Sequence, residues 1–198
     1  MKRNAKTTLT VLLFILLSHS KSIFGDTTKA DLELFGVPEF CYSFLNPKFE
    51  GTPLQAKWRR LLEGFDGPHH YCFGIRGYNT ALKAHNREER MTALKGALNE
   101  MIYPLNHHFN PKHPLSAKLL YDLGKVTEGL EDYKSAIDFY NRSIELNPNV
   151  WLPFAAMSDL LEKAGNKKQA IETLENGLKN KPDSKPLIKR LNKLRSNR

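Results

Sequence analysis

Cysteine is scarce in this chain: two in 198 residues, with no C-x-x-C-H and no second close-spaced pair of Cys or His beside them. Covalent haem attachment is thereby excluded, and a metal cluster is disfavoured. G-x-S-x-G, H-E-x-x-H and a glycine-rich phosphate loop are missing too. With them go the usual signatures of a hydrolase nucleophile, a zinc protease and a nucleotide site. No apolar stretch is long enough to span a bilayer, the run from Leu9 to Leu17 included. No cysteine follows that run where a lipid anchor would need one.

What is present is first an address. MKRNAKTTLTVLLFILLSHSKSIFG has a basic start (Lys2, Arg3, Lys6), a short apolar run and then small residues at Ser18, Ser20, Ser22 and Gly25. That is the layout of a cleavable secretory signal, and it predicts a periplasmic or secreted chain. Removing residues 1–22 takes away Lys2, Arg3, Lys6 and Lys21 and no acid, so the formal charge falls from +9 to 9 − 4 = +5. Much of the remaining excess lies in KPLIKRLNKLRSNR, where Lys185, Lys189, Arg190, Lys193, Arg195 and Arg198 meet no acidic residue of that stretch. A solvated helix face is the plain reading of this tail. Peripheral contact with an anionic membrane is the functional one, and export argues against nucleic acid. In an oxidising compartment the even pair Cys41 and Cys72 predicts a disulfide.

The second half of the chain repeats itself. AKLLYDLGKVTEGLEDYKSAIDFYNRSIELNPNV aligns without a gap on WLPFAAMSDLLEKAGNKKQAIETLENGLKNKPDS, a period of 34 residues (Pro148 to Pro182). Leu120, Leu123, Gly124, Asp132, Tyr133, Ala136, Tyr140, Ser143 and Pro148 carry the pattern in the first copy. Phe154, Met157, Ser158, Gly165, Ala170, Leu174, Gly177 and Pro182 carry it in the second. Both copies resemble the tetratricopeptide repeat, a helix-turn-helix unit of this length. The departures are Glu131 in place of a turn glycine, Thr127 in place of an aromatic, and Ser143 and Gly177 in place of alanine. Weaker packing is expected from them.

Such arrays need at least three units to bury a continuous core. Residues 68–113 supply a divergent third. Its first helix carries Cys72, Ile75, Tyr78 or Asn79, and Leu82 on one face, with Gly74, Gly77 and Ala81 as a stripe of small residues. Its second helix is capped by Asn86 with Glu89 and turns Met91, Leu94, Leu98, Met101, Ile102 and Leu105 inward. The tail offers Leu187, Ile188, Leu191 and Leu194 for a capping helix, making seven helices beyond Pro68. The expected fold is all-α, a tetratricopeptide-like α-solenoid of antiparallel helix pairs. Its organisation is a signal peptide over 1–25, an irregular N-terminal segment over 26–67 packed on the solenoid, a divergent repeat over 68–113, and a region 114–198. That last region holds repeats 117–150 and 151–184 and a C-terminal capping helix. In the N-terminal segment a short amphipathic piece carries Trp58, Leu61, Leu62 and Phe65.

GPHHYCFGI, residues 67–75, is the stretch that most invites chemistry. His69 with Cys72, or His70 with His107, His108 and His113, could ligate a metal, but a bonded Cys72 cannot. HHYCFG and the FCY around Cys41 also resemble a group of exported bacterial proteins in which a His-Tyr-Cys helix precedes tetratricopeptide repeats. That resemblance implies a bacterial source and one continuous domain, and no chemistry. The solenoid resemblance implies binding by a concave face, here with Lys118, Tyr121, Lys125, Leu152, Ala155 and Asp159 as the groove. Neither a cofactor nor a catalytic step is expected. The function read is an exported, non-enzymatic scaffold or adaptor for a protein or peptide partner of the cell envelope. Its rivals are a metal or haem protein built on His69 and His70, and a glycan or small-ligand receptor using Trp58, Tyr42, Phe44 and Phe49.

Overall fold

The computed structural model describes residues 36–196, all within one compact unit. The expected signal peptide, residues 26–35 of the N-terminal segment and Arg198 of the tail lie outside the described residues. Among the latter there are nine α-helices, one 3-10 turn and no strand. In order they are α1 (Glu39–Leu45), the turn Pro47–Phe49, α2 (Pro53–Leu61), α3 (Pro68–Leu82), α4 (Arg87–Asn106) and α5 (Ser116–Gly129). Then come α6 (Tyr133–Leu146), α7 (Trp151–Lys163), α8 (Lys167–Asn180) and α9 (Lys185–Ser196). From α3 onward the helices pack as consecutive pairs, α3 on α4, α5 on α6 and α7 on α8, and α9 closes the array against α7 and α8. The architecture is an all-α solenoid, with the seven helices beyond Pro68 that the periodicity requires.

Local chemistry sets the helix ends. The Asn86 side chain accepts from the Glu89 N–H at 2.9 Å, and the Glu89 carboxylate reaches back to the His85 N–H at 3.1 Å. One orphan donor of α4, the Glu89 N–H, is satisfied in this way, and the His85 N–H just before the cap is held with it. Asp132 caps α6 through the Ser135 N–H at 3.1 Å, and Thr52 caps α2 through the Gln55 N–H at 3.3 Å. Between α7 and α8 the chain turns at Gly165, φ +79°; one period earlier, between α5 and α6, Glu131 stands at φ +67°. The turn therefore demands a left-handed residue in both repeats, and only the second meets it with glycine.

Small residues set how closely the helices approach. A Cβ on Gly124 would lie 2.5 Å from the Tyr140 ring, and one on Gly177 would lie 2.7 Å from Leu187 and 2.9 Å from Phe154. Ala136 and Ala170 are fully buried at the same crossings. On α3, Gly74 and Gly77 admit the Ala97 region of α4. Two of the departures from the repeat pattern make hydrogen bonds of their own. The Ser143 hydroxyl donates to the Ala117 carbonyl at 2.7 Å, and the Thr127 hydroxyl donates to Leu123 and Gly124 carbonyls within its own helix.

In the described part of the segment 26–67, expected to be irregular apart from one short amphipathic piece, the chain folds into α1, the 3-10 turn and α2. Cys41 and Cys72 are disulfide-bonded, Cα to Cα 5.3 Å, and tie α1 to α3. Phe40 packs on Trp58 and Tyr71, and Phe65 packs on Tyr71 and His113. A core that no short helix could bury alone thus runs from α1 into α6. Trp58, Tyr42 and Phe44, considered for stacking on a glycan, are partly buried against this core. Three apolar residues expected inward face out: Leu61 is 56% exposed, Leu82 63% and Ile188 38%. At the end of α2 the inward places go to Leu62 and Phe65, and at the end of α3 to Ala81.

Candidate functional site

A groove of about 750 Å³ opens among α3, α5 and α7, and its end is formed by the first turns of α4 and α6. α3 contributes Tyr78 and Leu82, α5 contributes Tyr121, Lys125 and Glu128, and α7 contributes Ala156, Asp159 and Lys163. Arg87 and Arg90 come from α4, and Tyr133 and Tyr140 from α6. Helical spacing explains the α7 stripe, since 156, 159 and 163 are three and four residues apart and share a face.

Of the residues the sequence assigned to a groove, Tyr121, Lys125 and Asp159 line this one. Lys118 instead lies on the neighbouring surface with Gly36, Val37 and Asp122, where its ammonium pairs with Asp122. Leu152 is half-buried. Ala155 does not belong: it is 3% exposed and packs with Phe154, Leu161, Leu174 and Leu187. Docking of α9 on α7 and α8 turns that side of α7 into core, and Ala156 takes the groove position. Tyr78, Arg87, Arg90, Glu128, Tyr133, Tyr140 and Lys163 were not expected there. The groove was read from the first helices of the two clear repeats alone, and α3 and α4 follow the repeat pattern too loosely to be aligned.

The groove's charges are largely matched. Lys163 bonds Glu128 at 3.0 Å, Arg87 bonds Glu131 at 3.0 Å, and Arg190 from α9 reaches Asp159 at 3.2 Å. The Lys125 ammonium sits 4.4 Å from the Tyr78 ring centroid and 5.7 Å from that of Tyr121. These rings offer a negative face to the cation. Burial, with the Asp122 charge second, pushes the Tyr121 phenol up to about 12. Burial and the neighbouring Glu128 likewise raise Tyr140, whose hydroxyl donates to Glu128 at 2.9 Å. Tyr78 is raised as well, chiefly by burial. All three phenols therefore stay protonated donors around neutral pH.

The His-His-Tyr-Cys stretch has other partners. His70 Nδ1 lies 2.7 Å from Glu100 Oε2, and its ring stacks on Tyr103, which stacks in turn on His107, with centroids 3.8 Å apart in both pairs. The His69 ring lies 4.3 Å from that of His70, and burial together with the His70 charge lowers its pKa. The Tyr71 hydroxyl donates to Asp122 Oδ2 at 2.6 Å in the interior, and Cys72 is consumed by its bond. His70, Tyr71 and Cys72 thus fasten α3 to α4, α5 and α1 in turn. Among the described residues no three His, Cys, Asp or Glu gather as a metal site. The basic tail is likewise engaged: Arg190, Lys193 and Arg195 pair with Asp159, Glu162 and Glu175. The tail contains no acid of its own, but folding brings those three from α7 and α8.

Residues 117–150 match the family model of the tetratricopeptide repeat, 150 − 117 + 1 = 34 of the chain's 198 residues. No curated protein matches the chain.

Proposed function

We propose that this tetratricopeptide repeat protein is an exported scaffold that holds a segment of a protein partner in the groove between α3, α5 and α7. Repeats of this family mediate contacts between proteins, which gives the class of function. The observation that carries the reading is the groove itself, where three accessible tyrosines (Tyr78, Tyr121 and Tyr133) converge on one 750 Å³ concavity, with Tyr140 buried behind them. Tyrosine supplies large contact area at low entropic cost and is enriched where proteins bind. We read the site as binding and not catalysis because its three carboxylates are already held by cations. A Cys41–Cys72 bond suits an oxidising compartment, in keeping with a leader, and no helix among the described residues is long and apolar enough to cross a membrane. A partner in the bacterial envelope follows from that address.

Ala156→Trp tests the groove, since Ala156 lines it and is half-buried. Chains carrying a photo-crosslinking residue at Tyr121 are expected to capture a discrete protein from an envelope extract, and Ala156→Trp to abolish the capture at unchanged far-UV circular dichroism. Capture that survives the filled groove refutes the reading.

A further inference from the structure

We infer that the segment held in the groove is acidic, its side-chain carboxylates seating on Lys125 and Arg90 beside Tyr78. This rests on the groove reading above and adds the chemistry of the ligand. Glu128, Glu131 and Asp159 are each matched by a cation, whereas Lys125 and Arg90 form no ion pair with a carboxylate among the described residues. Lys125 is pinned over the Tyr78 ring at 4.4 Å, and Arg90 lines the same groove; of the charges that act on Tyr78, those of Glu128 and Asp122 come ahead of that of Arg90. Two cations therefore line the groove with no carboxylate at ion-pair distance from either. The phenols of Tyr78 and Tyr121 resist ionisation, so they add O–H donors there and not competing negative charge.

A carboxylate on such a set gains charge-assisted hydrogen bonds within a partly dry concavity. The three resident acids weigh against a phosphate dianion, which they would repel more strongly than a monoanion. Leu82, 63% exposed, and Tyr133, 51% exposed, lie on the same groove. They suit apolar or aromatic residues interleaved with the acids of the bound segment.

The test is selection of a phage-displayed random peptide library on the full, oxidised chain. Enriched sequences are then synthesised with both ends capped and measured by fluorescence anisotropy. Enrichment of Asp and Glu among Leu, Tyr or Phe is expected. Replacing those acids by their amides should weaken binding about ten-fold, the effect of one charge-assisted contact. Lys125→Glu and Arg90→Glu should each reproduce that loss, and raised salt should act in the same direction. Lys95→Glu, a comparable change at an exposed site on α4 outside the groove, should leave binding unchanged. Peptides that bind without acidic preference, yet are lost in Ala156→Trp, overturn this inference and leave the groove reading intact. An acidic preference that survives Lys125→Glu and Arg90→Glu overturns it by placing the contact elsewhere. Failure to enrich any peptide overturns both.

Discussion

The two glycines Gly96 and Gly124 sit in helix interiors and differ only in what surrounds them. Around Gly96 on α4 a new Cβ meets nothing within 4 Å, whereas at Gly124 on α5 it would lie 2.5 and 2.6 Å from carbons of the Tyr140 ring. Tyr140 is fully buried and anchored through its hydroxyl to Glu128 at 2.9 Å, so the ring cannot swing aside without breaking that bond. Alanine in an open helix position gains about 0.5–1 kcal/mol over glycine by reducing backbone freedom in the unfolded chain. Overpacking a crossing costs roughly 1–3 kcal/mol. Gly96→Ala is therefore expected to raise stability by about 0.5–1 kcal/mol, and Gly124→Ala to lower it by a net of about 1–2 kcal/mol. At this size the melting temperature should rise by roughly 1–4 °C in the first case and fall by roughly 2–8 °C in the second. Thermal denaturation followed by circular dichroism at neutral pH measures both. A Gly124→Ala chain that melts as high as the Gly96→Ala chain would show that α5 and α6 do not cross as closely as described, and would refute the argument.

Replacing Cys41 and Cys72 together by serine opens a loop of 31 residues and should cost roughly 3–4 kcal/mol. In limited trypsinolysis the exposed Arg59 and Arg60 of α2 should then be cut before any site in the repeats; unchanged stability and an unchanged cleavage order would contradict a structural bridge. Alkaline pH gives a second handle, because Tyr71 is held well above its ordinary pKa by burial and then by Asp122, and Tyr121 up to about 12. Their unfolded phenols ionise near pH 10, so above that pH the unfolded chain binds fewer protons than the folded one. The stabilisation is whole below about pH 10 and is lost as pH rises beyond it. Urea titrations from pH 8 to pH 11 should therefore be flat at first and then fall, with a shallower fall for Tyr71→Phe; equal slopes for the two chains would refute the assignment.

Much of the solenoid is legible in the sequence because its determinants are local. The period of 34 residues, the small Gly124, Ala136 and Ala170, the cap at Asn86 and the even cysteine pair each concern one helix or one crossing. The departures were harder to weigh. Ser143 reads as a weaker alanine until the Ala117 carbonyl, 26 residues away, is found within its reach. Within the N-terminal segment the amphipathic stretch of α2 is legible, but α1 is too short to show a period, and Phe40 on it packs against Trp58 and Tyr71 from separate elements. His69 and His70 read as candidate ligands because a sequence cannot show that Glu100 and Tyr103 already occupy His70.

By itself, then, the sequence determined that this chain is a stack of helix pairs, since hydrophobic spacing, caps and small crossing residues act within a few turns of one another. The groove was decided by the tertiary structure alone. Ala155 and Ala156 are chemically identical neighbours, and the packing of α7 with α8 and α9 buries the one while the other is left on the groove. In the same way, folding from distant helices matches Glu128 with Lys163 and Asp159 with Arg190 while leaving Lys125 over Tyr78. Which charges remain for a partner depends on distances between separate elements, a quantity that periodicity along one helix does not contain.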